Sequence, residues 1–128
     1  MKAFITGASS GIGRDIARQL AAMGCELILI ARRENRLSEL ADSLETNCRI
    51  IPCDLSSADA CIKLCETLEN ENIDIVINNA GFGVFGKFTA TDLKEELSMI
   101  DVNITAMHIF TKYFVKNFSK KNSGYILN

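Results

Sequence analysis

The chain has 128 residues, of which 48% are hydrophobic and 23% charged, with one proline and a formal net charge of −2. That length suits one domain able to bury about two-thirds of its unfolded surface, and the composition is that of a globular protein. The slight negative charge excludes nucleic acid and anionic membrane as default partners, and no apolar run approaches the roughly 20 residues that span a bilayer.

In chain order, KAFIT (2–6) reads as a short strand that breaks at Thr6-Gly7, too early for a signal peptide, so a cytosolic protein is expected. IGRDIARQLAAMG follows, with Ile12, Ile16, Leu20 and Met23 at helical spacing and Gly24 as a stop signal. ELILIA (26–31) is a continuous apolar strand, and RENRLSELADSLE (33–45) a charged helix. CRIIPC (48–53) is a third strand. Ser56 or Ser57 caps a helix over SADACIKLCETLENEN (57–72), and IDIVIN (73–78) is a fourth strand. After the loop AGFGVFGKF a long helical pattern runs from about Thr91 to Lys120, with Leu93, Leu97, Ile100, Ile104 and Met107 on one face, and GYILN reads as a fifth strand.

Near-continuous apolar strands separated by helices imply right-handed crossovers and a parallel sheet covered on both faces. The fold class expected is therefore doubly wound α/β, in one domain over residues 1–128. The cysteines (Cys25, Cys48, Cys53, Cys61, Cys65) form no CxxC pair, and His108 is the single histidine. Neither a disulfide framework nor a metal centre fits that pattern, so reduced, mostly buried thiols are expected.

TGASSGIG places Gly7, Gly11 and Gly13 where the first strand turns into the first helix. Gly7 suits a tight turn, Gly11 lets backbone approach a pyrophosphate, and Gly13 permits close helix–strand packing. The helix N-terminus behind them offers amide N–H groups and a positive dipole end, and Ser9 and Ser10 add hydroxyl donors. The spacing is Gly-x3-Gly-x-Gly rather than G-x-G-x-x-G, and without a Lys-Ser/Thr pair it is no phosphate-transferring P-loop.

Four features in order, TGASSGIG, Asp54-Leu55 after the third strand, NNAG at Asn78–Gly81 and DVN at Asp101–Asn103, resemble the short-chain dehydrogenase/reductase family along the whole chain. The resemblance implies a Rossmann-like sheet of about five strands in the order 3-2-1-4-5, and hydride transfer between a nicotinamide and a carbonyl or alcohol. Family positions imply that Gly7, Ser9, Ser10, Gly11, Ile12 and Gly13 meet the cofactor, with Asp54 and Leu55 at the adenine. Asn79, Ala80 and Gly81 would line the cofactor's middle, and Val102 would pack on it. Asn103 matches the asparagine that organises a water linked to the catalytic lysine, the one member of the catalytic set present. On the bland reading, Asn103 is a polar group inside a helix and Asp54 a helix cap.

The end of the second strand carries no carboxylate: Ala31 is followed by Arg32 and Arg33. A 2′-phosphate is then not repelled, and guanidinium groups can hold it, so NADP(H) is expected over NAD(H). Arg32 is the first choice for that phosphate, then Arg33 and Arg36. ARRENRL and the stretch from DVNITAM onward look most like NADP-dependent reductases of broad substrate range.

The family's catalytic serine and Tyr-x-x-x-Lys follow its fifth strand, and this sequence departs from that pattern. Tyr113 has Lys116 three positions on, and Tyr125 has no lysine after it. The expectation is a truncated, cofactor-binding half, inactive alone, with a non-catalytic NADP(H)-binding or self-associating module as the alternative. Self-association is expected through the long helix (Leu97, Ile100, Ile104) or through a free strand edge at Tyr125–Asn128.

Overall fold

The computed structural model describes residues 1–128. Five strands, β1 (Lys2–Thr6), β2 (Glu26–Ala31), β3 (Cys48–Pro52), β4 (Ile75–Ile77) and β5 (Tyr125–Leu127), form one sheet in the order β3-β2-β1-β4-β5. Every pairing is parallel; Ile5 on β1 stands between Leu29 on β2 and Ile77 on β4. The expected doubly wound α/β fold and strand order are both present. The chain winds outward from β1 to β3 on one side and from β4 to β5 on the other, so the direction reverses between β1 and β4.

Successive strand residues face opposite sides, and this alternation splits the core in two. On one face Ala3, Ile5, Leu27 and Leu29 pack with Ala17 of α1 (Gly11–Ala22) and Leu37 and Leu40 of α2 (Glu34–Asp42). On the other, Phe4, Ile28, Ile30 and Val76 meet Cys61, Leu64 and Cys65 of α3 (Ala58–Thr67). Phe110, Phe114 and Phe118 complete that second core from the last helix, with the Phe4 ring 5.2 Å from Phe110 and 5.1 Å from Phe114.

Local chemistry sets the element ends. Ser57 caps α3 by accepting from the Ala60 amide at 3.2 Å, which decides between the two candidate serines. Helix α1 closes with the Cys25 amide donating to Leu20 and the Gly24 amide to Ala21, the Schellman pattern. All five thiols are free, and Cys25, Cys61 and Cys65 are buried as expected.

Two expectations change. Ile12 and Met23 do not join Ile16 and Leu20 against the sheet; they are 72% and 70% exposed. The face of α1 nearest the strands is made of Gly13 and Ala17, because close approach admits only small residues there. The long helix is also not uniform: α4 (Leu93–Ile100) passes through a π-helical segment (Asp101–Ala106) into α5 (Met107–Lys121). Its outer face leaves Leu93, Leu97, Ile100 and Ile104 exposed, and Tyr125 and Leu127 on β5 are exposed too.

Phe114 is 2% exposed and central to the aromatic cluster. Phe114→Ala is expected to lower unfolding free energy by about 3–5 kcal/mol, read from urea denaturation followed by circular dichroism.

Candidate functional site

The site is built around Thr6, the last residue of β1 and the one buried polar residue, 2% exposed. A buried hydroxyl must find partners. Its oxygen accepts from the Asn79 and Ala80 amides, each at 3.1 Å, and donates to the Ile77 carbonyl at 3.4 Å. The Asn79 side-chain amide returns the tie, donating to the Thr6 carbonyl at 3.1 Å and the Gly7 carbonyl at 3.4 Å. The C-terminal ends of β1 and β4 are thereby locked together where the winding reverses, the place at which open α/β sheets bind ligands.

A cleft of about 510 Å³ opens there. The glycine-rich turn and the start of α1 form its floor. Gly7 and Gly11 both have positive φ, +68° and +55°; a Cβ on Gly11 would meet nothing within 4 Å, so that residue faces open space, whereas one on Gly7 would lie 2.8 Å from the Asn79 Nδ2 and 2.9 Å from the Ala80 Cα. Gly13 differs: a Cβ there would lie 2.3 Å from the Asn79 Nδ2 and 2.5 Å from the Gly7 carbonyl oxygen. It serves the packing behind the cleft and is not on its wall.

The N-terminus of α1 is electrostatically unfilled. Its first turn has no acidic residue, and Ser10 stands at the N-cap without a side-chain bond to the helix. The amides of Gly11, Ile12 and Gly13 donate to no backbone carbonyl. Unsatisfied amides at a dipole's positive end favour an anion. Arg33 adds a full charge, its Nη2 donating to the Ser9 hydroxyl at 3.3 Å and the Ser10 hydroxyl at 3.4 Å. Arg32, the first choice from sequence, lines the cleft without joining those serines; its charge instead helps lower the Asp54 pKa. Arg36 lies outside the cleft, in a neighbouring groove.

Asp54 and Leu55 form the opposite wall with Cys53. Asp54 accepts from the Ser56 amide at 3.1 Å and the Ser56 hydroxyl at 2.8 Å, an Asx turn rather than a helix cap. Those two bonds hold its carboxyl below the usual range, so it is ionised at neutral pH. Asn79, Ala80, Gly81 and Val102 close the middle. Asn103 is not on the wall: its Oδ1 accepts from the Phe82 amide at 3.0 Å and its Nδ2 donates to the Phe82 carbonyl at 2.9 Å. The side chain clamps the loop after Gly81, where a Cβ would come within 3.1 Å of the Asn103 Oδ1.

The structure thus brings Gly7, Ser9, Ser10, Gly11, Ile12, Arg32, Arg33, Asp54, Leu55, Asn79, Ala80, Gly81 and Val102 to one cleft and sets Gly13 and Asn103 behind it. Sequence reasoning passed over Thr6 and Cys53, and read Phe82 only as one of the phenylalanines of the AGFGVFGKF loop, an apolar wall toward the substrate. Thr6 was open to detection as the polar residue ending an apolar strand; Cys53 carries no such mark. Tyr113 packs against the α3–α5 core, where burial pushes its phenol pKa up, and Tyr125 lies on β5. Neither borders the cleft.

Gly13→Ala is expected to cost at least about 1–3 kcal/mol, because Asn79 and the Gly7 carbonyl cannot retreat without breaking the Thr6 lock. Gly11→Ala, open to space, is expected to cost no more than the left-handed strain of about 1–2 kcal/mol. Parallel thermal melts of the two variants check the ranking.

A family model described as short chain dehydrogenase matches residues 1–128. An uncharacterized oxidoreductase of Staphylococcus epidermidis is 34% identical over 128 residues, covering 98% of this chain and 56% of its own length. The NADP-dependent 3-hydroxy acid dehydrogenase of Schizosaccharomyces pombe is 35% identical over 132 residues, covering 97% of this chain and 51% of that protein. Among solved structures, a short-chain dehydrogenase from Sphingobium yanoikuyae in complex with NADPH superimposes with a TM-score of 0.90 at 31% identity, covering 98% of this chain and 51% of that one. The chain spans about half the length of the curated relatives it matches. With the strand order, the glycine turn and the family model in agreement over the full sequence, the chain belongs to the short-chain dehydrogenase family.

Proposed function

We propose that this chain supplies the NADP(H)-binding portion of an oxidoreductase acting on a small carbonyl or alcohol. The observation that carries the reading is the Arg33 guanidinium on the Ser9 and Ser10 hydroxyls, beside a helix N-terminus with no acidic residue. A 2′-phosphate set between those groups would receive charge-assisted hydrogen bonds, whereas an unphosphorylated ribose would leave Arg33 without an anionic partner. Solved neighbours bound to NADPH or NADP support the same choice.

The residues fit the cofactor by region. The open amides at Gly11 and Ile12 suit the pyrophosphate, and Asp54 and Leu55 suit the adenine's amino edge and face. Asn79, Ala80 and Gly81 suit the cofactor's middle, where small side chains let backbone come close, and Val102 would pack on it. When bound, the nicotinamide supplies or accepts the hydride. Proton transfer to the substrate oxygen requires an acid at that oxygen. With Tyr113 in the core and Tyr125 on β5, we assign that acid to neither tyrosine, and this chain to binding and positioning. Asn103 acts here through the Phe82 backbone, holding the loop that borders the cleft.

The exposed row of Leu93, Leu97, Ile100 and Ile104 favours self-association as part of this reading, through that face or the outer edge of β5. Sedimentation velocity over a concentration series is expected to show a dimer; a monomer throughout overturns that element.

Fluorescence titration tests the central claim. The chain is expected to bind NADPH more tightly than NADH, and Arg33→Ala to weaken NADPH by roughly 10- to 100-fold, the range of a charged hydrogen bond of about 1.5–3 kcal/mol, with NADH little changed. Adding a simple ketone to the NADPH-bound chain is expected to give no turnover. Equal affinity for the two nucleotides, unaltered by Arg33→Ala, overturns the assignment.

A further inference from the structure

Two of the five free thiols, Cys48 and Cys53, are half-buried, and the other three lie in the core. Cys53 follows β3 directly, its amide donating to the Ala31 carbonyl at 3.1 Å, and it lines the cleft with Asp54 and Leu55. Cys48 begins β3 at the other end of the strand and borders no part of the cleft. Of all the thiols, Cys53 alone opens onto the place where a ligand sits.

Two further thiols stand behind it. Cys61 and Cys65 are one turn apart on the buried face of α3, 0% and 4% exposed, in the core cluster against which Cys53 packs. The Cys61 Sγ donates to the Leu55 carbonyl at 3.8 Å, two residues on from Cys53, and the Cys53 sulfur is a second acceptor for it. That bond to Cys53, together with burial, holds the Cys61 thiol protonated and far above its ordinary range. Burial likewise pushes Cys65 up to about 12. Cys53 moves the other way: the bond from Cys61 draws its thiol below the ordinary range, against burial and the adjacent Asp54 carboxylate. The cations on the cleft wall are Arg32 and Arg33; Ala31, Leu55, Ala80 and Val102 bring no charge. Reaction with a disulfide needs a thiolate and a path to it, and Cys53 has both. Cys48 has neither advantage, since burial raises its pKa.

We propose that Cys53, backed by the buried Cys61 thiol, is a modification site inside the cleft that takes small disulfides by exchange. The Cys53 thiol first gives its proton to water. Its sulfur then bonds to one sulfur of the disulfide as the S–S bond breaks, and the other sulfur leaves as a thiolate. The group left on Cys53 stands against Asp54 and Leu55, the residues that suit the adenine, so adduct and dinucleotide exclude each other. A thiol reductant reverses the exchange and reopens the cleft. The exclusion rests on the NADP(H) reading, whereas the reactivity of Cys53 does not.

The 128-residue chain, treated with bis(hydroxyethyl) disulfide and mapped by peptide mass spectrometry, tests this. Cys53 is expected to react at least about tenfold faster than Cys48 at neutral pH, with its pH midpoint the lower of the two. Saturating NADPH is expected to protect Cys53 and leave Cys48 untouched. The modified chain is expected to lose NADPH affinity and regain it with dithiothreitol, while Cys53→Ser keeps whatever affinity it has through the same treatment. Cys61→Ala is expected to slow the reaction and raise the Cys53 midpoint, and Cys61→Ser, which keeps a donor, to restore both. Should Cys61→Ala fold poorly, the order of the Cys53 and Cys48 midpoints in the parent chain gives the second readout. Cys48 reacting as fast as Cys53 overturns the site, and an adduct on Cys53 that leaves NADPH affinity unchanged overturns the exclusion. A Cys53 midpoint unmoved in Cys61→Ala overturns the part given to Cys61. A parent chain that binds neither nucleotide overturns the cofactor reading and the exclusion, while preferential reaction at Cys53 still upholds the modification site.

Discussion

The Thr6 hydroxyl is the interaction on which the rest of the structure depends. Parallel strands β1 and β4 are neighbours in the sheet but far apart in sequence, and β4 has only three residues, Ile75–Ile77, to pair. So short a ladder would leave its C-terminal end free to splay. Thr6 prevents this by taking two amides shortly beyond β4, those of Asn79 and Ala80, while Asn79 ties back to Thr6 and Gly7. The cleft is the gap left above this lock. Its position, and the sharp turn at Gly7, follow from one satisfied buried hydroxyl.

A second device holds the other side of the gap. The long helix widens to a π-helical segment at Asp101–Ala106, within which Asn103 turns both ends of its amide on the Phe82 backbone. Asparagine inside a helix is ordinarily mildly unfavourable. Here its donor and acceptor satisfy an exposed loop that has no ladder of its own, and π segments recur where a helix serves a site. Val102, one residue earlier, reaches the cleft wall from the same segment. Thr6 and Asn103 thus fasten the two ends of residues 79–82, one from the sheet and one from the helix.

Electrostatics is arranged on the opposite principle. Packing around Thr6 is satisfied bond by bond, whereas the phosphate end is left unsatisfied: bare amides at the α1 N-terminus, no acid in its first turn, and the Arg33 guanidinium on the Ser9 and Ser10 hydroxyls. That imbalance costs stability through mutual repulsion and is retained where an anion can relieve it. The site combines a rigid frame with an uncompensated charge.

The amino-acid sequence by itself determined the fold class, because strand-length apolar runs alternating with helical periods admit only a covered parallel sheet. It also pointed to the glycine turn, Asp54-Leu55, Asn79–Gly81 and the arginines after β2, each marked by residue types that ordinary packing does not ask for. Only the tertiary structure decided which arginine stands on Ser9 and Ser10, since Arg32 and Arg33 are adjacent in sequence and differ only in the direction the chain gives them. It alone placed Gly13 and Asn103 behind the cleft and turned Ile12 to solvent, because helical spacing reports a face but not how closely that face approaches a sheet. It alone made Thr6 central, for a hydroxyl's worth is set by partners more than seventy residues away.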